Sequence, residues 1–576
     1  MTGKRPSARR PRMRAAAVLA LVLSTLAACV SIPTSGPVGV GVEGVAEQGA
    51  VEPLGDPPPQ DGSPEDIVRG FLGASAAGFS RSLGSEAGDD FRNAREYLSG
   101  ETRRTWNPRE RVVVYPTASS PSITVDEESQ VQVSVRVAAR IDQDGRYSAA
   151  GPDAEESLEF NLVQDSDGQW RISGLEDGVV LSEPNFEAIY RASTLYFLSL
   201  DGEYLVPETR WFPLRNLATS IVRALIAGPS DWLRDAVRTA VPEGAVLQPD
   251  AVSVDDDGVA TVSLAAGGLP LEPVDRALMQ AQLEASLRIA RVRTVEVSAG
   301  DVPLGADAAE LERGQDTGGS LEAIQDGTTL VELVGGELSP VEGVESLAGL
   351  DAHHPARSSS GSLRVVLSGT DNLVTVPLTS VPSRTMLTAS DLVAPSVYRL
   401  GWVWTASSDT DGALLAVDTR GQQLAVEADW LVGRAVRSVR VASDATRVAV
   451  VSSGSDGVRV DVAAVLRDDS GAPQSLGAAL STGVTLVDAT RVVWVDESTL
   501  GVLGRSGSST TAVYHLVPIA GQAEVRPAIV DAVEIAGGKG EATIFVATSD
   551  GGLYARSGGP SWNPVGTGIS DPSFPG

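Results

Sequence analysis

The chain has 576 residues, too many for one hydrophobic core, so two to four domains are expected. It carries 45 Lys+Arg against 75 Asp+Glu, a net charge of −30, and so acidic a surface argues against general binding to phosphate backbones. One cysteine excludes an intrachain disulfide, and one cysteine with three histidines cannot supply a structural zinc set, so neither a metal nor another cofactor is expected.

Lys4, Arg5, Arg9, Arg10, Arg12 and Arg14 open the chain without an acid. An apolar run from Ala15 to Ala28 follows, too short for a comfortable membrane span and suited to the hydrophobic region of a secretory signal. It ends in Leu26-Ala27-Ala28-Cys29, which resembles a bacterial lipobox. That resemblance implies cleavage after Ala28, S-diacylglycerol on the Cys29 thiol and an N-acyl chain on its amine. The only cysteine stands where the lipid belongs, and two acyl chains anchor far more firmly than one. Loss of residues 1–28 removes six cations and takes the net charge to −36. Residues 29–62 hold Pro33, Pro37, several glycines and Pro57-Pro58-Pro59 without apolar periodicity, and read as a tether.

Residues 63–181 form the first folded segment. Ser63-Pro64-Glu65-Asp66 is a helix start, and Ile67, Val68, Phe71, Leu72, Ser75 and Phe79 keep helical spacing. Phe91, Ala94, Tyr97 and Leu98 mark a second amphipathic piece. The period then changes to two, with strands at Val112–Val114, Val131–Val137, Leu158–Val163 and Trp170–Ile172, and a turn at Asp167-Gly168. Helices followed by a curved antiparallel sheet of four or five strands resemble the α+β cone of the nuclear-transport-factor-like superfamily. The segment has no histidine and no evident acid/base pair.

Residues 185–304 form the second. Thr194–Leu198, a turn at Asp201-Gly202 and Tyr204–Pro207 read as strand, turn, strand. A helix carries Leu214, Leu217, Ile221 and Leu225 and stops at Gly228-Pro229. Trp232-Leu233 opens a short helix that ends at Pro242-Glu243-Gly244. A hairpin turns at Asp257-Gly258, a helix spans about Val274 to Ala290, and Val295 and Val297 mark a last strand. This order resembles the α+β GerMN domain, on Tyr196-Phe197 before Asp201-Gly202, Arg223–Pro229, Asp257–Val262 and Gln282–Leu287. The triplet Asp255-Asp256-Asp257 reads as a solvated turn rather than a cation site.

Residues 322–576 are nearly all strand and turn. Asp444-Ala445-Thr446-Arg447-Val448 recurs as Asp488-Ala489-Thr490-Arg491-Val492, 44 residues on, the size of a propeller blade. Strand centres near Val366, Trp404, Ala449, Val493 and Phe545 give five blade-like units, and Thr329–Leu333 offers a sixth. An all-β propeller of five or six blades is expected, with a β-sandwich pair as the alternative.

Lipobox, cone, GerMN segment and propeller in that order, with Cys29-Val30-Ser31-Ile32-Pro33 at the mature start, resemble the actinobacterial lipoprotein LpqB family. The resemblance implies a lipid-anchored, extracytoplasmic protein of the cell membrane. It further implies binding to the extracytoplasmic domain of a sensor histidine kinase of an Mtr-like two-component system, with effects on cell-wall homeostasis and division. An alternative is a cell-wall glycan or small envelope-ligand binder, for which Trp402, Trp404, Trp494 and Trp562 are candidate stacking platforms. A search for catalytic residues returns none. Gly537-Gly538-Lys539-Gly540 lacks phosphate-loop spacing, and Gly504-Arg505-Ser506-Gly507-Ser508 is not a nucleophile elbow. His353-His354 beside Asp351 reads as a solvated linker, and His515 as a core or blade-edge residue. A hydrolase hidden in the cone or propeller would need paired carboxylates in a cleft.

Overall fold

The structure is a computed structural model that describes residues 2–3, 55–79, 91–126, 130–151, 153–265, 272–289, 291–300, 302–304, 306–314, 319–407, 412, 414–507, 509, 511–527, 529–556 and 561–576. Leu26, Ala27, Ala28, Cys29 and most of the tether lie outside these residues. The described chain is multidomain and rich in sheet, with few helices.

The first module opens with the helix Pro64–Ala77. Ser63 caps it as a reciprocal box: its Oγ accepts from the Asp66 amide at 3.2 Å, and the Asp66 carboxylate accepts from the Ser63 amide at 3.0 Å. Ser63→Ala should therefore cost about 1 kcal/mol, readable as a lower urea midpoint for this module. Ile67, Val68 and Phe71 turn the helix's buried face onto the strands. Where one curved antiparallel sheet was expected, the strands form two sheets of four, and Arg111–Tyr115 pairs with Val179–Ser182 in parallel. The reason lies between Arg136 and Ala139. There the Val137 amide donates to the Ala154 carbonyl and the Ala138 amide to the Val114 carbonyl, so the chain leaves one ladder for the other. Helix and sheets enclose a cavity of only about 20 Å³ beside Phe71, Val113 and Phe160, room for one water.

In the second module Tyr190–Ser199 and Leu205–Pro213 pair antiparallel through their length. Helix Leu217–Ala227 ends at Gly228, whose φ of 89° suits glycine. Val259–Leu264 and Thr294–Ala299 run parallel, connected through helix Pro273–Ser286. Trp232-Leu233, expected to open a helix, sits in a turn before the 3-10 helix Arg234–Ala236. The core gathers Phe197, Ile221, Leu225, Val262, Leu283 and Leu287.

The third module contains six sheets, each with a main path of four antiparallel strands. Their first strands are Ile569–Ser573, Ala352–Arg357, Ser396–Val397, Ala435–Val441, Asp488–Trp494 and Ala532–Ala536. Each packs against the first strand of the next, and Ile569–Ser573 touches both Ala532–Ala536 and Ala352–Arg357. The set is thus cyclic, and Ile569–Ser573 also pairs with Leu321–Gln325, the strand that begins the module. The 44-residue repeat does not mark equivalent positions. Arg447 starts the second strand of its sheet, whereas Asp488 starts the first strand of the next.

Asp461, on the strand Gly457–Arg467, is 2% exposed, and one carboxylate oxygen has no hydrogen-bond partner. Burial pushes its carboxyl up to about 6 from 3.8, and the opposing pull of Arg459 and Arg434 does not cancel it. A raised carboxyl favours the folded state while protonated, so its contribution is complete below about pH 4 and is lost as pH rises through about 6. Asp461→Asn should remove that dependence and gain about 2 kcal/mol at pH 7. Urea unfolding at pH 4.5 and 7 checks this, and equal gains at both values would contradict it.

Candidate functional site

The first strands of the six sheets bring charged side chains to the middle of the ring. His354, Arg440, Arg491, Glu534 and Asp571 come from five different strands. His354 Nδ1 lies 2.7 Å from Asp571, and Arg491 Nε lies 2.8 and 2.7 Å from the two Glu534 oxygens. Arg491 Nη2 approaches His354 Nε2 at 3.5 Å. One tautomer satisfies both imidazole contacts: Nδ1–H donates to Asp571, and Nε2 accepts from Arg491.

The electrostatics follow from these contacts. Burial alone would raise Asp571, but the opposing influences, the hydrogen bond from His354 first among them, together outweigh it and hold its carboxyl below the usual range. Burial would likewise lower Arg491, and Glu534 more than offsets it. Among the described residues Arg440 has no carboxylate within ion-pair distance, and Glu534 pulls on it only from farther off. Burial, then the neighbouring Arg491, push it down to about 10, and its Nη1 donates to the Ala394, Pro395 and Val439 carbonyls.

His354, Glu534 and Asp571 bring ligand-type atoms within 4.8 Å of one another, a geometry a cation might be thought to fit. The Arg491 guanidinium, already on Glu534 and beside His354, supplies the positive charge there instead. The adjoining cavity, beside Arg440, Trp494 and Phe574, is about 30 Å³. The cluster therefore ties the sheets together, and the cavity beside it has room for about one water.

This corrects the reading of His353-His354 as a linker. Both lie on the strand Ala352–Arg357, with a register shift between His353 and Ala356. His354 has a φ of 49°, and Pro355 interrupts the alternation that would have announced a strand. An edge strand tolerates that proline because its outer amides need no ladder partner.

A second polar centre lies where the three modules meet. A cavity of about 160 Å³ is lined by Arg146 and Tyr147 of the first, Glu208 and Trp232 of the second, and Arg447 and Ile519 of the third. Glu208 and Arg210, 5% and 1% exposed, pair at 2.9 Å. Arg146 Nε donates to Ser230 Oγ at 2.8 Å, and Ser230 in turn bonds Glu208. Arg447 holds Asp444 through Nε and Nη2 at 2.9 and 2.6 Å, lies 4.8 Å over the Trp494 ring, and reaches the Pro207 carbonyl at 3.4 Å. Trp211 Nε1 donates to the Ala520 carbonyl at 2.7 Å, Tyr196 bonds Glu497, and Arg399 pairs with Asp201 and Glu203. Sequence reasoning missed this junction, because its partners lie up to 309 residues apart.

The stacking candidates fare differently. Trp402, Trp404 and Trp494 are 7%, 0% and 3% exposed, so their faces are already packed. Trp562 is half-buried and donates to the Pro527 carbonyl. His515 is buried, and burial lowers its pKa. Asp255 closes its turn by accepting from the Val259 amide at 2.8 Å, and Asp256 and Asp257 are exposed. Lys539 sits 5.8 Å from the Phe574 ring. No helix of the described residues is long and apolar enough to cross a membrane.

Three family descriptions match the chain. "Lipoprotein LpqB, N-terminal domain" covers residues 57–187, "Sporulation and spore germination" covers 194–305, and "Lipoprotein LpqB beta-propeller domain" covers 328–575. The lipoprotein LpqB of Cutibacterium acnes is 28% identical over 88% of this chain and 89% of its own. That of Thermobifida fusca is 28% identical over 89% and 90%, and that of Streptomyces avermitilis is 27% identical over the full length of both. A GerMN segment and a β-propeller domain set between an LpqB-type N-terminal module and relatives aligned end to end leave one assignment: this chain belongs to the LpqB family of lipoproteins.

Proposed function

We propose that this chain is held by lipid on Cys29 at the extracytoplasmic face of the cell membrane, where it binds the ectodomain of a sensor histidine kinase of an Mtr-like two-component system and biases its signalling. Cell-wall homeostasis and division are the processes that signalling would reach. In this reading the first module is a cone whose interior is filled, and the six cyclic sheets are the blades of one closed propeller.

The observation that carries the proposal is the three-module junction. Arg447, Trp211, Tyr196 and Arg399 each bond across a module boundary, and so preset the body for one shape. A pre-organised surface loses less conformational freedom on binding another protein. The centre of the ring, meanwhile, satisfies its charges internally. Contact can alter the kinase only through unequal affinity for its two states. The glycan alternative loses three of its four candidate platforms, since Trp402, Trp404 and Trp494 are buried and only Trp562 is partly exposed.

The test is co-purification of the lipidated chain, in detergent micelles, with the purified kinase ectodomain. Binding at or below the order of 10 µM is expected. Absence of binding at tenfold higher concentration defeats the proposal.

A further inference from the structure

The second module carries a groove of about 430 Å³ on its outer side. Its apolar floor includes the partly exposed Ala285, Val292 and Leu311, and its rim holds Arg288, Arg293 and Arg313. All three arginines are exposed. Arg313 leans over the Tyr196 ring at 5.9 Å. None of the three has a carboxylate within ion-pair distance among the described residues. Glu284 is the one acid of the lining, and it already accepts from the Gln280 amide at 2.7 Å.

Arginines without an ion pair occur elsewhere among the described residues, Arg440 for one, but here three of them line one groove. Arg111, Arg210, Arg357, Arg447 and Arg491 each hold a carboxylate, as expected where 75 acids surround 45 bases. Three arginines line this groove against one acid, Glu284. Free cations on a strongly acidic protein direct an anionic partner to one place, since the remaining surface repels it. The apolar floor narrows the class. A bare polyanion would use the rim alone, whereas a peptide with alternating acidic and aliphatic side chains would use rim and floor together.

We infer that this groove is the docking site for an acidic, aliphatic-rich peptide segment of a protein partner. The inference rests on the partner-binding reading above and adds the place and the chemistry.

The probe is a fluorescein-labelled alternating Glu–Leu decapeptide, followed by anisotropy with the full lipidated chain in detergent micelles. Binding that weakens with salt is expected, with the matching Lys–Leu peptide at least about tenfold weaker. R288E/R293E should weaken Glu–Leu binding by about tenfold or more, while the charge-matched R103E/R104E, on an exposed helix of the first module, should leave it unchanged. Failure of the Glu–Leu peptide to bind overturns the inference, and so does equal loss in both variants. Displacement by phosphatidylglycerol vesicles or by polyphosphate at lower concentration than by unlabelled peptide also overturns it, in favour of a lipid or a polyanion. A kinase ectodomain that binds wild type and R288E/R293E alike overturns the groove and leaves the partner reading standing. An ectodomain that binds neither, while the peptide binds as stated, defeats the partner reading and leaves the groove.

Discussion

Arg447→Met is expected to destabilise the body by about 3–5 kcal/mol, because it leaves the buried Asp444 carboxylate without its partner charge. Asp444 is 2% exposed and Arg447 is 1% exposed. The Asp444 Oδ1 accepts from the Thr446 and Arg447 amides, so the carboxylate cannot swing out to solvent without opening the turn. The same change removes the bond to the Pro207 carbonyl and the cation over Trp494, and loosens the seam between the second and third modules. A chain of several modules need not unfold in one step, so the measurement is local. Hydrogen exchange should quicken in Leu205–Pro213 and Arg447–Gly454 together. A companion Asp444→Asn/Arg447→Met variant keeps an acceptor for the turn and removes the orphaned charge. It should recover most of the loss, since replacing both members of a buried pair costs far less than removing one. Slow exchange unchanged in the single variant would show that the pair does not hold the seam.

Cys29→Ser is expected to move the protein from the membrane pellet to the soluble or leader-retaining fraction. Each buried methylene is worth about 0.8 kcal/mol, so loss of the three acyl chains removes far more binding energy than any protein surface here would restore. Mass spectrometry of the wild-type amino terminus should find a cysteine bearing diacylglycerol and an N-acyl chain, with residues 1–28 gone. A bare thiol behind an intact leader would refute the anchoring proposal. The proposed kinase regulation should fall with the variant even if the folded body is released intact, because tethering raises the local concentration of the body beside a membrane-bound partner.

Local chemistry was legible where a few neighbouring residues decide the outcome. Ser63 and Asp66 start a helix, Gly228 ends one, and Gly168 with its φ of 77° turns a hairpin at Asp165–Gly168. The strand centres at Val366, Trp404, Ala449, Val493 and Phe545 all fall in strands. What failed depended on pairing. The swap of sheets at Val137 and Ala138 is a matter of which distant carbonyl each amide meets, and hydrophobic alternation is silent about that. The repeated Asp-Ala-Thr-Arg-Val pointed rightly to a propeller but not to equivalent positions, because its two arginines do unlike work: Arg447 folds back on Asp444, while Arg491 reaches Glu534 on the neighbouring sheet. His354 looked solvated because its partner Asp571 stands 217 positions away in the chain. The arginine groove was invisible for a similar reason, since Arg313 joins Arg288 and Arg293 only after the chain returns past Leu205.

The strand Ile569–Ser573 lies against Leu321–Gln325 and so completes a sheet begun roughly 245 residues earlier. Closing a loop of that length carries an entropic cost that must be met before the contact yields anything. In the proposed extracytoplasmic topology, the ring cannot shut until Ile569–Ser573 has cleared the export channel. Until then the half-built circle exposes an open ladder, a feature that invites mispairing with other chains. A translocation stall near the carboxyl terminus would thus be more hazardous than one within the tether, and periplasm-type holdases should be found on the former and not the latter.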